Sequence, residues 1–207
     1  MTSALILVLA AYLAGSIPSA FWVGRFFYRK DLRTLGSCNL GATNAFRVLG
    51  WQAALPVILV DMFKGFAPVW WFPDLDGQTA FWWTVAYGAA AIVGHVFSFW
   101  VGFKGGKGVA TSAGVLVAVA PVAMVAGGGI WLIAMLTTRI VSLASIAGAV
   151  AVGIAGLFIA DAGLPVRAFL GSMAAFVVWA HRSNIRRLLA GTEPRLGRPG
   201  TVDREDP

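Results

Sequence analysis

Three short polar stretches carry residue types suited to gripping phosphate. The first, LGSCNLGATNAFRVLG (35–50), holds Ser37, Asn39, Thr43 and Asn44, with Gly36 and Gly41 between them and Arg47 near the end. Glycines let backbone N–H groups approach a ligand closely, hydroxyls and amides add donors, and arginine offers a fork that fits phosphate oxygens. A turn into a helix capped by Thr43 or Asn44 would explain one of these polar residues but not the set. The second, GFKGGKGVATSAG (102–114), places Lys104, Gly105, Gly106, Lys107 and Gly108 directly before an apolar helical pattern. Helix N-termini carry partial positive charge and unpaired N–H groups, so the natural use is anion binding. It is not a Walker A loop, because Gly108 follows Lys107 where Ser or Thr is required. A simple anchoring loop would need the lysines but not the glycines. The third, AHRSNIRRLLAGTEPRLG (180–197), sets His181, Asn184 and Arg187 close to one face if the helix of the last span continues. Basic residues there also serve to hold topology. Ser142 and Ser145, close to Arg139, add hydroxyls at a further helix start, as caps or as phosphate contacts.

Other polar residues read differently. Asp61 and Lys64, spaced i and i+3 inside an apolar run, are expected to pair with each other, since isolated charges at that depth are costly. His95, in GHVFSFW, reads as a hydrogen-bonded interhelical residue rather than a base. With no Ser-His-Asp constellation in evidence and few acids beside the basic clusters, the chemistry implied is positioning and electrostatic stabilisation of phosphate-bearing substrates.

The elements that must position these groups are membrane helices. The chain has 207 residues, 58% hydrophobic and 12% charged, with a net charge of +7. Soluble domains carry roughly a quarter charged residues. Apolar segments fall near 3–27, 51–72, 79–103, 110–136, 142–160 and 165–181. The fold class is an all-α integral membrane protein. The first segment lacks basic residues before it and has Arg25, Arg29 and Lys30 after it, as expected of an uncleaved helix. Basic residues cluster at 25–47, 104–107, 139 and beyond 182, whereas Asp74, Asp76 and Asp161 mark the other breaks. The positive-inside bias puts the basic breaks in the cytoplasm. Even parity follows if 110–136 is a hairpin of two short helices, turning at Pro121 or at Gly127-Gly128-Gly129. The expectation is about seven transmembrane helices, N-terminus out and C-terminus in, with six or five spans and re-entrant pieces as the alternative because the two halves of the hairpin are short. Residues 1–193 form a single polytopic domain, and 194–207 a disordered cytoplasmic tail. One cysteine, Cys38, and two distant histidines exclude a disulfide framework and a metal motif.

GSCNLGATNAFR, FKGGKGVAT and HRSNIRRLLAGTE resemble the three signature motifs of the bacterial acyl-phosphate:glycerol-3-phosphate acyltransferases, the PlsY type. GSIPSAFWVG (15–24), DMFKG (61–65) and GHVFSFW (94–100) resemble further blocks of that family, so the likeness runs from about residue 10 to residue 193. It implies transfer of an acyl group from acyl phosphate to the 1-hydroxyl of sn-glycerol-3-phosphate in the bacterial inner membrane, giving lysophosphatidate and inorganic phosphate. Partners would be those two substrates and membrane lipids, with no cofactor, metal or nucleic acid. Carried over by position, Ser37, Lys104, Lys107 and the backbone around Gly36, Gly41 and Gly108 would hold the donor phosphate. Arg47, His181, Asn184 and Ser142 would hold glycerol phosphate. Asn39, Thr43 and Asn44 would shape the first loop, and Gly105, Gly106 and Arg187 complete the substrate-binding set. Cys38 stands where the family often has glycine, and the expected chemistry is direct transfer without an acyl-enzyme. The rival classes are a transporter of a phosphorylated solute, which should show inverted repeats, a structural anchor, and an H-x-x-x-x-D acyltransferase. The last fails on Trp100 and Arg186, the residues five beyond each histidine.

Overall fold

A computed structural model of the chain describes residues 2–77, 80–159 and 163–197. Asp161 lies outside the described residues, as does the tail beyond 197. Every regular element among the described residues is helical. In lipid a helix satisfies its backbone hydrogen bonds within itself, which is why so apolar a chain takes this form.

Helix α1 spans Thr2–Gly15; the chain breaks before Pro18 and continues through α2 (Ser19–Trp22) and a π-helical turn, Val23–Phe27. The first polar loop leads into α3 (Ala42–Leu49). Helices α4 (Trp51–Asp76) and α5 (Phe81–Val96) follow, and a 3₁₀ turn at Phe99–Val101 precedes the glycine loop. Then come α6 (Val109–Val119), α7 (Pro121–Thr138), α8 (Val141–Phe158), α9 (Leu164–Ala180) and α10 (Arg182–Leu189).

Five segments have the length and apolarity to cross a membrane: Thr2–Phe27, Trp51–Leu75, Phe81–Val101, Pro121–Thr138 and Val141–Phe158. A sixth arises if α9 and α10, bent by 59°, count as one span. The expected number was seven. Helix α6 makes the difference: it has 11 residues, a rise of about 16 Å against a hydrocarbon core of about 30 Å, so length alone does not count it as a full span.

The break inside 110–136 falls at Ala120–Pro121, where proline suits a first helical turn. Gly127-Gly128-Gly129 does not turn the chain. It lies within α7, and a Cβ on Gly127 would sit 2.9 Å from the Gly148 carbonyl oxygen of α8. The glycine is there for close helix approach. Similar contacts join α1 to α5, where a Cβ on Gly94 would fall 2.2 Å from the Tyr12 carbonyl, and α4 to α6, where one on Gly114 would fall 1.9 Å from the Met62 carbonyl. One apolar core gathers residues such as Val69, Ile92, Val115, Val152 and Leu170. A smaller one, including Leu32, Leu40, Ala45 and Val57, ties the first polar loop to α3 and α4.

Candidate active site

The first loop is shaped by Asn44. Its Oδ1 accepts the Ser37 N–H at 2.9 Å, and its Nδ2 donates to the carbonyls of Leu32 and Leu35 at 3.2 and 3.0 Å. The side chain is fully buried and both polar atoms serve the loop's own backbone. Gly36 turns through the left-handed region at φ +61°, directly against Asn44. Helix α3 is capped by the Gly41 backbone rather than by a side chain, so Thr43 and Asn44 lie within its first turn. Asn39 packs its amide beside Gly41. Ser37, Cys38 and Arg47 are exposed.

The glycine loop has a packing reason for its composition. Gly105 N–H donates to the Val96 carbonyl at 3.0 Å and Gly106 N–H to the His95 carbonyl at 3.1 Å, so neither is free for a ligand. Gly108 sits at φ +81° and starts α6, whose first turn has N–H groups without intrahelical acceptors. Lys104 is exposed, whereas Lys107 is half-buried.

The third motif does not continue as one helix. The bend at His181 separates α9 from α10, and the His181 Nδ1 lies 2.8 Å from the Val177 carbonyl. Asn184 and Arg187 both sit on α10. Arg182 turns away and stacks on Trp179 at 4.4 Å.

These pieces meet through side chains. Lys107 Nζ donates to Asn184 Oδ1 at 2.5 Å. Asn184 Nδ2 donates to Glu193 Oε1 at 2.6 Å, Ser142 Oγ donates to the same oxygen at 2.7 Å, and Arg187 Nε donates to Glu193 Oε2 at 2.6 Å. The amide can point only one way, because an ammonium only donates and a carboxylate only accepts. Glu193 is the residue the motif reading passed over. Its side chain is 7% exposed and gathers α8, α10 and, through Asn184, the glycine loop. The signal available was a lone acid inside an otherwise basic motif. Just beyond it, the Leu196 N–H donates to the Arg139 carbonyl at 2.8 Å, tying this segment to the turn between α7 and α8. Ser145 is occupied differently, accepting from Trp131 Nε1 at 3.3 Å.

Burial is the largest influence on Lys107 and brings its ammonium down to about 8; the Glu193 carboxylate opposes this, and the Arg187 and Arg47 charges add to it. Arg47, on α3 at the end of the first motif, acts on Lys107 through its charge, with no hydrogen bond between them among the described residues. Burial raises the Glu193 carboxyl, but the hydrogen bonds from Ser142, Asn184 and Arg187 outweigh it and hold it below the usual value. Lys107 thus has the charges of Arg187 and Arg47 around it against one carboxylate, Glu193, and Arg47 has no ion-pair partner among the described residues. Such a cluster is electrostatically complementary to an anion.

Residues 5–191 match the family model described as glycerol-3-phosphate acyltransferase. The chain belongs to the glycerol-3-phosphate acyltransferase family. It is 46% identical over 199 residues to the glycerol-3-phosphate acyltransferase of Listeria monocytogenes serovar 1/2a, covering 95% of this chain and 98% of that protein. It is 48% identical over 198 residues to that of Synechococcus sp. (strain JA-3-3Ab), covering 94% of each. Its fold is similar to the crystal structure of PlsY, an integral membrane glycerol 3-phosphate acyltransferase, in its glycerol 3-phosphate form, with TM-score 0.86, 40% identity and 97% of both chains covered. The lysophosphatidic acid form gives TM-score 0.83 at 38% identity, covering 94% of this chain and 96% of that one. The resemblance read from the three motifs is borne out. The protein is a multi-pass membrane acyltransferase, and the transporter reading falls away.

Proposed function

We propose that this acyltransferase moves an acyl group from acyl phosphate to the 1-hydroxyl of sn-glycerol-3-phosphate, releasing lysophosphatidate and inorganic phosphate. The observation that carries this reading is the cation excess around Lys107, Asn184 and Glu193, where the second and third motifs meet by hydrogen bonds and the Arg47 charge of the first acts on Lys107. Two phosphate-bearing substrates match that excess, and the glycerol 3-phosphate and lysophosphatidic acid forms of similar structures support the acceptor and product.

An acyl phosphate is a mixed anhydride and needs little activation. The glycerol hydroxyl attacks the acyl carbonyl carbon, the bond from that carbon to the phosphate oxygen breaks, and the hydroxyl proton leaves with the phosphate. Lys104, Ser37 and the start of α6 at Gly108 would stabilise the departing phosphate. Arg47, Arg187, Lys107, Ser142, His181 and Asn184 would orient the acceptor, while Asn44 holds the first loop in shape. No side chain need act as a strong base, so binding and orientation supply most of the rate. Residues 1–193 would act as one domain, with the pocket on the cytoplasmic face of a bacterial inner membrane and seven helical passes if α6 and α7 pair as a hairpin.

The test is purified protein with labelled glycerol-3-phosphate and either acyl phosphate or acyl-CoA. Lysophosphatidate should form only with acyl phosphate, with equimolar phosphate release. Lys104→Ala and Arg47→Ala should each lose about a hundredfold or more in rate, the scale of losing one charge-stabilising donor, whereas Cys38→Ser should retain it. Turnover with acyl-CoA alone, or wild-type rates in both alanine variants, would overturn the reading.

A further inference from the structure

Apart from the anion site, the bundle buries Asp61, Lys64 and His95 at 1%, 5% and 6% exposure. Asp61 Oδ1 accepts from Ser19 Oγ at 2.6 Å and pairs with Lys64 Nζ at 2.8 Å; Lys64 Nζ also donates to the Ile17 carbonyl at 2.7 Å. The expected ion pair is therefore present and fully partnered, as buried charges require. His95 Nδ1 lies 3.6 Å from the same Asp61 oxygen, beyond hydrogen-bond distance, and is buried without a hydrogen-bond partner among the described residues, so the expected hydrogen bond of this histidine is not made at that atom.

The other side of the imidazole meets the glycine loop. A Cβ on Gly106 would fall 2.1 Å from His95 Nε2 and 2.9 Å from the Leu40 carbonyl oxygen of the first loop. One on Gly105 would fall 1.9 Å from the His95 carbonyl oxygen. The backbone carbonyls of His95 and Val96 accept the Gly106 and Gly105 N–H groups. The ring is thus seated between a buried ion pair and the point where two substrate loops touch. Lys104 and Lys107 flank that point immediately.

We propose that His95 is a positioning residue: its buried imidazole, packed between the Asp61–Lys64 pair and Gly106, sets the height of Gly105–Gly106 above the bundle and so places Lys104 and Lys107 over the pocket. The inference rests on the function proposed above. It assigns His95 no contact with substrate; the ring acts through the loop it supports. Gly106 is required because a side chain there meets the ring, Gly105 because one there meets the His95 backbone carbonyl, and the ring is required because the loop must rest on something rigid.

A four-protein cycle tests this: wild type, His95→Ala, Gly106→Ala and the double variant, each assayed for kcat/KM and for melting temperature with and without glycerol-3-phosphate. His95→Ala should lose on the order of tenfold in kcat/KM, and Gly106→Ala on the order of a hundredfold, because small displacements of charged groups are costly to a positioned reaction. In the double variant, removing the ring should relieve the clash and recover about tenfold relative to Gly106→Ala. A role confined to stability predicts instead that the losses add and follow the melting temperatures. If Gly106→Ala does not accumulate, the coupling is read from the yield of folded double variant. A double variant no better than Gly106→Ala in either activity or yield overturns the proposal. Wild-type protein inert toward glycerol-3-phosphate would count against the function alone, and the coupling would still be read from the four melting temperatures.

Discussion

At the scale of single residues, Lys107 joins binding to pH. Its ammonium is brought down to about 8, chiefly by burial. As pH rises through about 8 the charge is lost, so affinity for glycerol-3-phosphate should fall. The phosphate of that substrate is already a dianion above about pH 7, so the change belongs to the protein. Stability should move the other way. Below about 8 the lysine is protonated in both folded and unfolded chains. Above it the unfolded chain holds a proton that the folded one has lost, so stability rises with pH until the unfolded lysine also titrates, near 10.4. KM and melting temperature measured from about pH 7 to about pH 9.5 should therefore both increase; a flat KM would remove Lys107 from the acceptor's phosphate. Ser142, Asn184 and Arg187 were legible in the sequence as anion donors, because residue type alone says so. Glu193 was not. A carboxylate in a basic tail reads as a solvated charge until the chain is seen to fold back on α8 and α10.

At the scale of elements, apolar segments announced the helices, and their partners decided the details. The run Gly127-Gly128-Gly129 reads as a breaker because glycine is a poor helix former. What keeps it helical is a neighbour that the sequence does not display: Gly148 of α8, close enough that a Cβ on Gly127 would also fall 2.4 Å from Val152 Cγ2. Gly129 meets nothing within 4 Å. Gly127→Ala should therefore destabilise the protein by about 1–3 kcal/mol through overpacking, and Gly129→Ala should stabilise it by up to about 1 kcal/mol. Thermal unfolding in detergent separates the two, and equal shifts would mean that α7 and α8 do not touch there. The third motif turns on a related point. Spacing of His181, Asn184 and Arg187 on one face presumes a straight helix, and the bend of 59° removes that premise while still delivering Asn184 and Arg187 to one carboxylate.

At the scale of the whole molecule, hydropathy identified the membrane class and charge distribution gave an expected sidedness. The number of passes was less legible, because a short helix such as α6 cannot be classed by composition alone. The shared site requires Phe103 and Ser183 to lie on one side of the bilayer, with Asp74 on the other. Single cysteines at these positions in a Cys38→Ser background, labelled from each side in sealed vesicles, should react accordingly. Phe103→Cys and Ser183→Cys reacting from opposite faces would dismantle the pocket.

The hydrogen bond from Leu196 to Arg139, with Glu193 just before it, has a consequence for biogenesis. Synthesis reaches this clasp after the spanning helices described above, so a partly translated chain can have those helices in lipid while the proposed pocket is still unlatched. Acyl transfer would begin only once the final segment has cleared the exit tunnel and snapped shut.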